Sequence, residues 1–243
     1  MPDGSRLADR RALITGASRG IGREIAAAMR AQGAACALLM RETPDPPSAE
    51  SIVVRADVAD AEAVVGAVTE AADRLGGLDA VVCAAGVDCA WAPTGEMQLA
   101  EWDRTISVNL SGTFYVCRAA LPHLVAAGGG AIVNVTSVAG LRAWPDDVAY
   151  NASKAGVELL TRTIAVEYGG RGVRANCVAP GVIDAGMTDA VTQPDERARL
   201  VAQHPLGRLG RAEEVAESVV WLLSGASGFT TGTTLVVDGG FLA

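Results

Sequence analysis

Tyr150 and Lys154 stand four positions apart, a spacing that puts a phenol and an ammonium on one face of a helix. A free tyrosine titrates near ~10 and is a poor acid or base at neutral pH. A neighbouring ammonium favours the phenolate and can bring the group into range. Ser137, thirteen residues before Tyr150, offers a hydroxyl that can donate to an oxygen as negative charge develops on it. Asn109 is a polar residue in the apolar run Val108-Asn109-Leu110, and it can hold a water that links Lys154 to solvent. Each of the four has an ordinary structural explanation by itself: a strand-end cap, a core edge, a solvated charge, a satisfied helix kink. For Asn109 alone that explanation is the better one. Together they suit proton transfer at the oxygen of a carbonyl or an alcohol.

Such a set needs a frame that holds its members together. Short apolar runs alternate with helical stretches along almost the whole chain. Strands are expected at 12–15, 34–40, 51–56, 79–85, 131–137, 173–178 and 234–237. Helices are expected at 20–30, 61–75, within 100–126, and at 151–168 and 211–223. Near-continuously apolar strands separated by helices predict an α/β fold. Its sheet is parallel, doubly wound and of Rossmann type, with about seven strands and helices on both faces. No repeat or long linker interrupts the pattern, so residues 1–243 read as one domain. The connection 41–50 holds three prolines, which excludes a full helix there. The long polar segment 184–205 reads as a substrate lid. In such a sheet ligands bind beyond the carboxyl ends of the strands, where Ser137 falls.

The first strand runs into Thr15-Gly16-Ala17-Ser18-Arg19-Gly20-Ile21-Gly22, and a helix follows. Glycines let a backbone approach a pyrophosphate, and a helix N-terminus offers it free N–H groups. The spacing is Gly-x3-Gly-x-Gly rather than the commoner GxGxxG. The discriminating position at the end of strand two holds Met40-Arg41 and no acidic acceptor for ribose hydroxyls. Arg41 and Arg19 suit a 2′-phosphate, so NADP(H) is the expected cofactor and NAD(H) the alternative, with Glu42 nearby working against the distinction. Asp57-Val58 follows strand three, at the position expected to meet the adenine.

Composition excludes other classes. The formal net charge is -8, which lacks the basic footprint that nucleic acid or an anionic membrane requires. No apolar run is long enough to span a bilayer, and the N-terminal segment has no signal-peptide core. The five cysteines are scattered and odd in number, fitting reduced thiols in a cytoplasmic protein. Two histidines and no CxxC or HExxH spacing give no metal site.

Over essentially its full length the chain resembles the short-chain dehydrogenase/reductase family. The resemblance rests on Thr15–Gly22, Ala85-Gly86, Asn109, Ser137, Tyr150-x3-Lys154 and Pro180-Gly181. It implies hydride transfer between a nicotinamide and a carbonyl or secondary alcohol, with Asn109, Ser137, Tyr150 and Lys154 as catalytic tetrad. It further implies that Lys154 also holds the nicotinamide ribose and that the Ile183 backbone meets the carboxamide. The tail 205–240 is similar to the 3-oxoacyl-[acyl-carrier-protein] reductase branch, whose members imply a homotetramer. Three departures stand out. Cys83-Ala84-Ala85-Gly86 replaces Asn-Asn-Ala-Gly, so the brace on strand four must come from elsewhere. Ala185 removes a hydroxyl expected to touch the cofactor. The connection from strand two to strand three is short.

The segment 126–130 carries no charge, whereas carrier-protein reductases present basic residues near the active-site mouth; Arg171 is kept. Asp146 and Asp147 are expected on the pocket rim, where they would repel an acidic partner. Trp91, Trp144, Val182 and Met187 are the expected substrate-pocket residues. The reading is therefore a small or cyclic ketone or alcohol, with a 3-oxoacyl thioester as alternative. A dinucleotide-sensing protein without turnover is the remaining class, and it should have lost Tyr150 or Lys154.

Overall fold

The computed structural model describes residues 6–42, 52–185 and 193–243. Seven strands form one parallel sheet: β1 (Arg11–Thr15), β2 (Ala35–Met40), β3 (Ile52–Arg55), β4 (Ala80–Cys83), β5 (Gly130–Val135), β6 (Val173–Pro180) and β7 (Thr234–Val237). Their spatial order is β3-β2-β1-β4-β5-β6-β7. This is the Rossmann-type doubly wound sheet expected. The order reverses between β1 and β4, which pair in register from Ala12 opposite Ala80 to Thr15 opposite Cys83. Such a reversal leaves a crevice beyond the carboxyl ends of these strands.

Alternation along each strand feeds two cores. Ala12, Ile14, Leu38, Val82 and Val133 pack on one face with Ile25, Met29, Val215 and Val219. Those helical residues belong to α1 (Gly20–Ala31) and α7 (Ala212–Leu223). Leu13, Leu39, Val81 and Ile132 point the other way, onto α2 (Ala61–Leu75), α4 (Gly112–Ala126) and α5 (Val148–Tyr168). Both faces are thus dry, as an all-parallel sheet requires. All five cysteines are free and buried. Among the described residues no helix is long and apolar enough to cross a membrane.

Several boundaries differ from the expected ones, for physical reasons. Strand β5 stops at Val135, and Ser137 instead caps a 3-10 turn at Val138–Gly140, accepting from the Ala139 N–H at 3.1 Å. The helix after it begins at Val148, so Tyr150 lies in its first turn rather than just ahead of it. The chain enters that turn through Asp146 at φ 64, and the Asn151 N–H closes it on the Asp147 carbonyl. The expected helix within 100–126 is α3 (Leu99–Ile106) and α4 joined by a π-helical segment, Ser107–Ser111, centred on Asn109. Part of the expected lid is helical, as α6 (Pro194–Ala202); residues 186–192, Met187 among them, lie outside the described set.

Candidate active site

A cavity of about 770 Å³ opens at the carboxyl ends of the strands. The turn Gly16–Gly22, apart from Ala17, forms one wall with Ser18, Arg19 and Ile21. Arg41, Asp57 and Val58 line one end; Ala85, Gly86, Pro180, Gly181 and Ile183 line the middle. Ser137, Tyr150 and Lys154 line the other end. Every residue assigned to the cofactor from sequence therefore borders the same cavity.

The glycine turn is shaped by close contact. Gly16 has φ +70, and a Cβ there would stand 2.6 Å from the Ala85 nitrogen. A Cβ on Gly22 would stand 2.3 Å from the Gly16 carbonyl oxygen. Helix α1 begins at Gly20, within the same motif, and no side chain caps its N-terminus. A dinucleotide fits this cradle: bare backbone wall, free N–H groups at a helix start, and a cavity running to Tyr150.

The brace expected from an asparagine at the end of β4 comes from Thr15. Its Oγ1 accepts from both the Ala84 and Ala85 N–H groups at 3.1 Å. Cys83 instead faces Cys117, sulfur to sulfur 3.9 Å, and Cys117 Sγ in turn donates to the buried Asn134 Oδ1 at 3.7 Å. Sequence reasoning passed over Thr15 although it opens the glycine motif.

Asn109 is 1% exposed and sits directly behind the cavity wall. Its Oδ1 accepts from the Val87 N–H at 2.8 Å, and its Nδ2 donates to the Val87 carbonyl at 2.9 Å and to Ser153 Oγ at 3.1 Å. The side chain thus ties the extension of β4 to α5. Thr113 Oγ1 donates to the Asn109 carbonyl at 2.7 Å, within the widened turn. Asn109 and Lys154 are neighbours: a Cβ on Gly86 would lie 3.4 Å from Asn109 Oδ1 and 3.6 Å from Lys154 Nζ.

Lys154 is buried, and Nζ donates to the Val135 carbonyl at 3.0 Å. Burial pulls its pKa down to about 8. Nζ lies 5.4 Å from the Tyr150 ring centre, as the helical spacing requires. Tyr150 behaves opposite to the sequence expectation in this state. Burial pushes the phenol well above its ordinary value, the hydrogen bond with Ser137 opposes that, and Asp88, Asp147 and Cys89 add to the rise. A phenol kept protonated this way is a proton donor until positive charge arrives beside it.

Asp147 and Cys89 form a buried pair that the sequence did not signal. Cys89 Sγ donates to Asp147 Oδ1 at 3.0 Å. Burial raises the Asp147 carboxyl to about 6 and the Cys89 thiol to about 11. Asp147 is therefore not an exposed rim charge; of the two aspartates only Asp146 is exposed. A second acid, Glu158, lies one turn beyond Lys154 on α5, buried, and accepts from Thr136 Oγ1 at 2.7 Å and from Thr234. Its spacing from Lys154 was the available signal.

Of the expected substrate residues, Trp91, Trp144 and Val182 are not among those that line the cavity, and Met187 lies outside the described residues. Trp91 is 62% exposed. Trp144 stacks on Phe241 at 5.2 Å between ring centres, closing the 138–147 loop onto the C-terminal tail. Val182 is half-buried, its carbonyl taken by the Gly210 N–H. The uncharged segment 126–130 precedes β5 at the amino end of the sheet, far from this chain's own cavity mouth. It therefore carries no information about that mouth.

The family model described as Enoyl-(Acyl carrier protein) reductase matches residues 16–242. Cis-4-hydroxycyclohexanecarboxylate dehydrogenase of Sinomonas cyclohexanicum is 40% identical over 248 residues, covering 99% of this chain and 99% of the relative. 2-Dehydro-3-deoxy-L-rhamnonate dehydrogenase (NAD(+)) of Sphingomonas sp. SKA58 is 37% identical, covering 97% and 96%. Among solved structures, the ligand-free aldohexose dehydrogenase of Thermoplasma acidophilum superposes with a TM-score of 0.92 at 31% identity, covering 98% and 96%. The chain belongs to the short-chain dehydrogenase/reductase family. It is an NAD(P)-dependent oxidoreductase acting on secondary alcohols and the matching carbonyls.

Proposed function

We propose that Tyr150 is the acid/base of this enzyme, that Ser137 orients the reacting oxygen, and that Lys154 sets the charge around both. The observation that carries this reading is the meeting of Ser137, Tyr150 and Lys154 at one end of the glycine-walled cavity. The bound dinucleotide supplies the hydride acceptor or donor and, when oxidised, a positive charge beside the phenol. In alcohol oxidation Tyr150 would act as the phenolate, its own proton lost to solvent beside the positive charges of Lys154 and the oxidised nicotinamide, and take the hydroxyl proton as the carbon loses hydride; in reduction the phenol gives its proton to the forming alkoxide. Ser137, already bonded to the phenol, donates to the same oxygen as charge grows. Lys154 donates to the Val135 carbonyl and keeps two further donors for the nicotinamide ribose. Asn109 acts through Val87 and Ser153 and is a positioning residue.

The substrate we infer is a small cyclic secondary alcohol or its ketone, a hydroxycyclohexanecarboxylate type being the first to test. The 40% identical relative named for cis-4-hydroxycyclohexanecarboxylate supports a ring-shaped substrate. Relatives named for cis-4-hydroxycyclohexanecarboxylate and D-threitol act on small alcohols, which puts the reading of a 3-oxoacyl thioester reductase in second place. NADP(H) is the inferred preference, carried by Arg19 and Arg41 at the adenosine end. Arg41 also faces Glu42 at 3.5 Å and Asp57 at 3.9 Å, so the preference over NAD(H) is modest. One domain carries both cofactor and chemistry, with the segment around α6 as its lid.

A cytoplasmic homotetramer completes the reading. Phe114, Leu159 and Val166 are exposed on α4 and α5, and Trp221, Phe229 and Val236 on or beside α7 and β7. Two separate apolar faces suit the two isologous interfaces of such a tetramer.

The test is turnover of cis-4-hydroxycyclohexanecarboxylate with NADP+ and NAD+, beside acetoacetyl-thioester reduction with NADPH. Oxidation of the cyclic alcohol supports the reading. Brisk turnover of the thioester alone replaces it with the acyl-reductase reading.

A further inference from the structure

A second concavity, about 310 Å³, lies at the opposite end of the sheet. It sits at the amino ends of β1, β4, β5 and β6, where Arg10, Arg11, Asp79 and Arg174 converge on the glycine turns 128–130 and 172. Six residues of extended chain separate Gly130 from Thr136, so this hollow is about 20 Å from the catalytic cavity. The turns themselves are uncharged. The topology brings the arginines to them from other strands.

The charges in the hollow do not balance. Asp79 is engaged by Arg11: Oδ1 accepts from the Arg11 backbone N–H at 3.1 Å and Oδ2 from Nε at 2.9 Å. Arg11 also donates to the Gly76 carbonyl at 2.5 Å. Arg10 reaches Asp79 only at 3.8 Å, and its side chain makes no other ion pair or hydrogen bond among the described residues. Arg174 donates to the Thr230 and Ser224 carbonyls at 3.2 and 3.3 Å, which neutralise none of its charge. Burial and the nearby Arg10 both press its guanidinium toward the neutral form. Two guanidinium groups are thus held close together, one of them half-buried, around a polar space with spare N–H donors.

The walls keep that space open. Gly128, Gly129 and Gly172 all have positive φ, and a Cβ on Gly129 would meet the Gly172 carbonyl oxygen at 2.5 Å. Side chains here would close the hollow or break the turns. Guanidinium forks match the oxygens of phosphate and carboxylate, and an anion between two of them relieves their mutual repulsion.

We propose that Arg10 and Arg174 form a second ligand site, separate from the cofactor cavity, for a small oxyanion such as a phosphate or carboxylate group. The site is independent of the activity argued above, because no residue of the hollow borders the catalytic cavity.

The test is calorimetric titration of inorganic phosphate, then acetate, into the protein saturated with NADPH, at constant ionic strength. Saturation blocks the glycine turn, the other place where an anion could bind. One phosphate or acetate per chain is expected, with about tenfold weaker binding in Arg10→Ala and none in Arg10→Glu. The tighter probe identifies which group the site is built for. Arg10 is partly exposed and outside the sheet, so both variants should fold and keep their turnover; Arg174→Lys serves as a second variant that retains charge without the fork. Absence of binding, or equal affinity in wild type and both Arg10 variants, would overturn the proposal.

Discussion

The two ends of the catalytic cavity are built differently. At the catalytic end, Asn109, Ser153 and Lys154 are more than nine-tenths buried, and each is tied to backbone or to another side chain. At the adenosine end, the Arg41 side chain is 71% exposed, and its ion pairs at 3.5 and 3.9 Å are loose. One end fixes atoms to within a hydrogen bond. The other leaves long side chains free to adapt. Chemistry demands the first, because an ill-placed proton donor loses orders of magnitude in rate. Recognition of a ribose phosphate tolerates the second, because exposed charges are screened and mobile.

Variants at the two ends should therefore differ in size of effect. Tyr150→Phe is expected to lower kcat about 10³-fold while leaving cofactor affinity, read by fluorescence titration, as in wild type. Turnover equal to wild type would remove Tyr150 from the mechanism. Asn109→Ala strands the Val87 N–H and carbonyl and should cost about 3 kcal/mol in urea unfolding, beyond its effect on rate. A loss of rate with stability intact would mean that Asn109 acts on the reaction directly.

Asp147 gives a pH test between these extremes. Its carboxyl titrates near 6 in the folded chain and near the ordinary 3.8 when unfolded. Below the lower value both states are protonated. Between the two the unfolded chain has released its proton first, so stability falls as pH rises through this window. Asp147→Asn should flatten that fall in a series of melting curves from pH 4 to pH 7. An unchanged slope would place the titration elsewhere. The smallest effect is expected at the loose end: Arg41→Ala should shift the ratio of NADP(H) to NAD(H) affinity toward NAD(H) by about fivefold. No shift would leave Arg19 as the sole phosphate contact, and a shift of several hundredfold would mean that the loose end is not loose with cofactor bound.

Much of the frame was legible because it follows from local pattern. The β2 run Ala35–Met40 and the helix Ala61–Leu75 fall where apolar periodicity puts them; Asp60 caps the latter through the Glu62 and Ala63 N–H groups. The glycine turn was legible because positive φ and close approach leave a signature in residue type. Other features were not. The π segment at Ser107–Ser111 depends on Asn109 being drawn to Val87 and Ser153, contacts 22 and 44 residues away. The stacking of Trp144 on Phe241 joins positions that no local rule connects. Asp147 reads as a surface charge in sequence, and only the covering Cys89 segment makes it a buried acid.

By itself the sequence determined the class of fold, the glycine cradle and the Tyr150–Lys154 face, since each rests on spacing within a few residues. Tertiary structure decided what surrounds those groups. Burial, more than the neighbouring ammonium, governs the Tyr150 phenol, and it comes from packing against segments distant in the chain. The arginines at the amino end of the sheet likewise form one hollow only because parallel strands bring their starting points side by side. Desolvation and charge proximity depend on three-dimensional distance, and residue order records that only where the chain is locally regular.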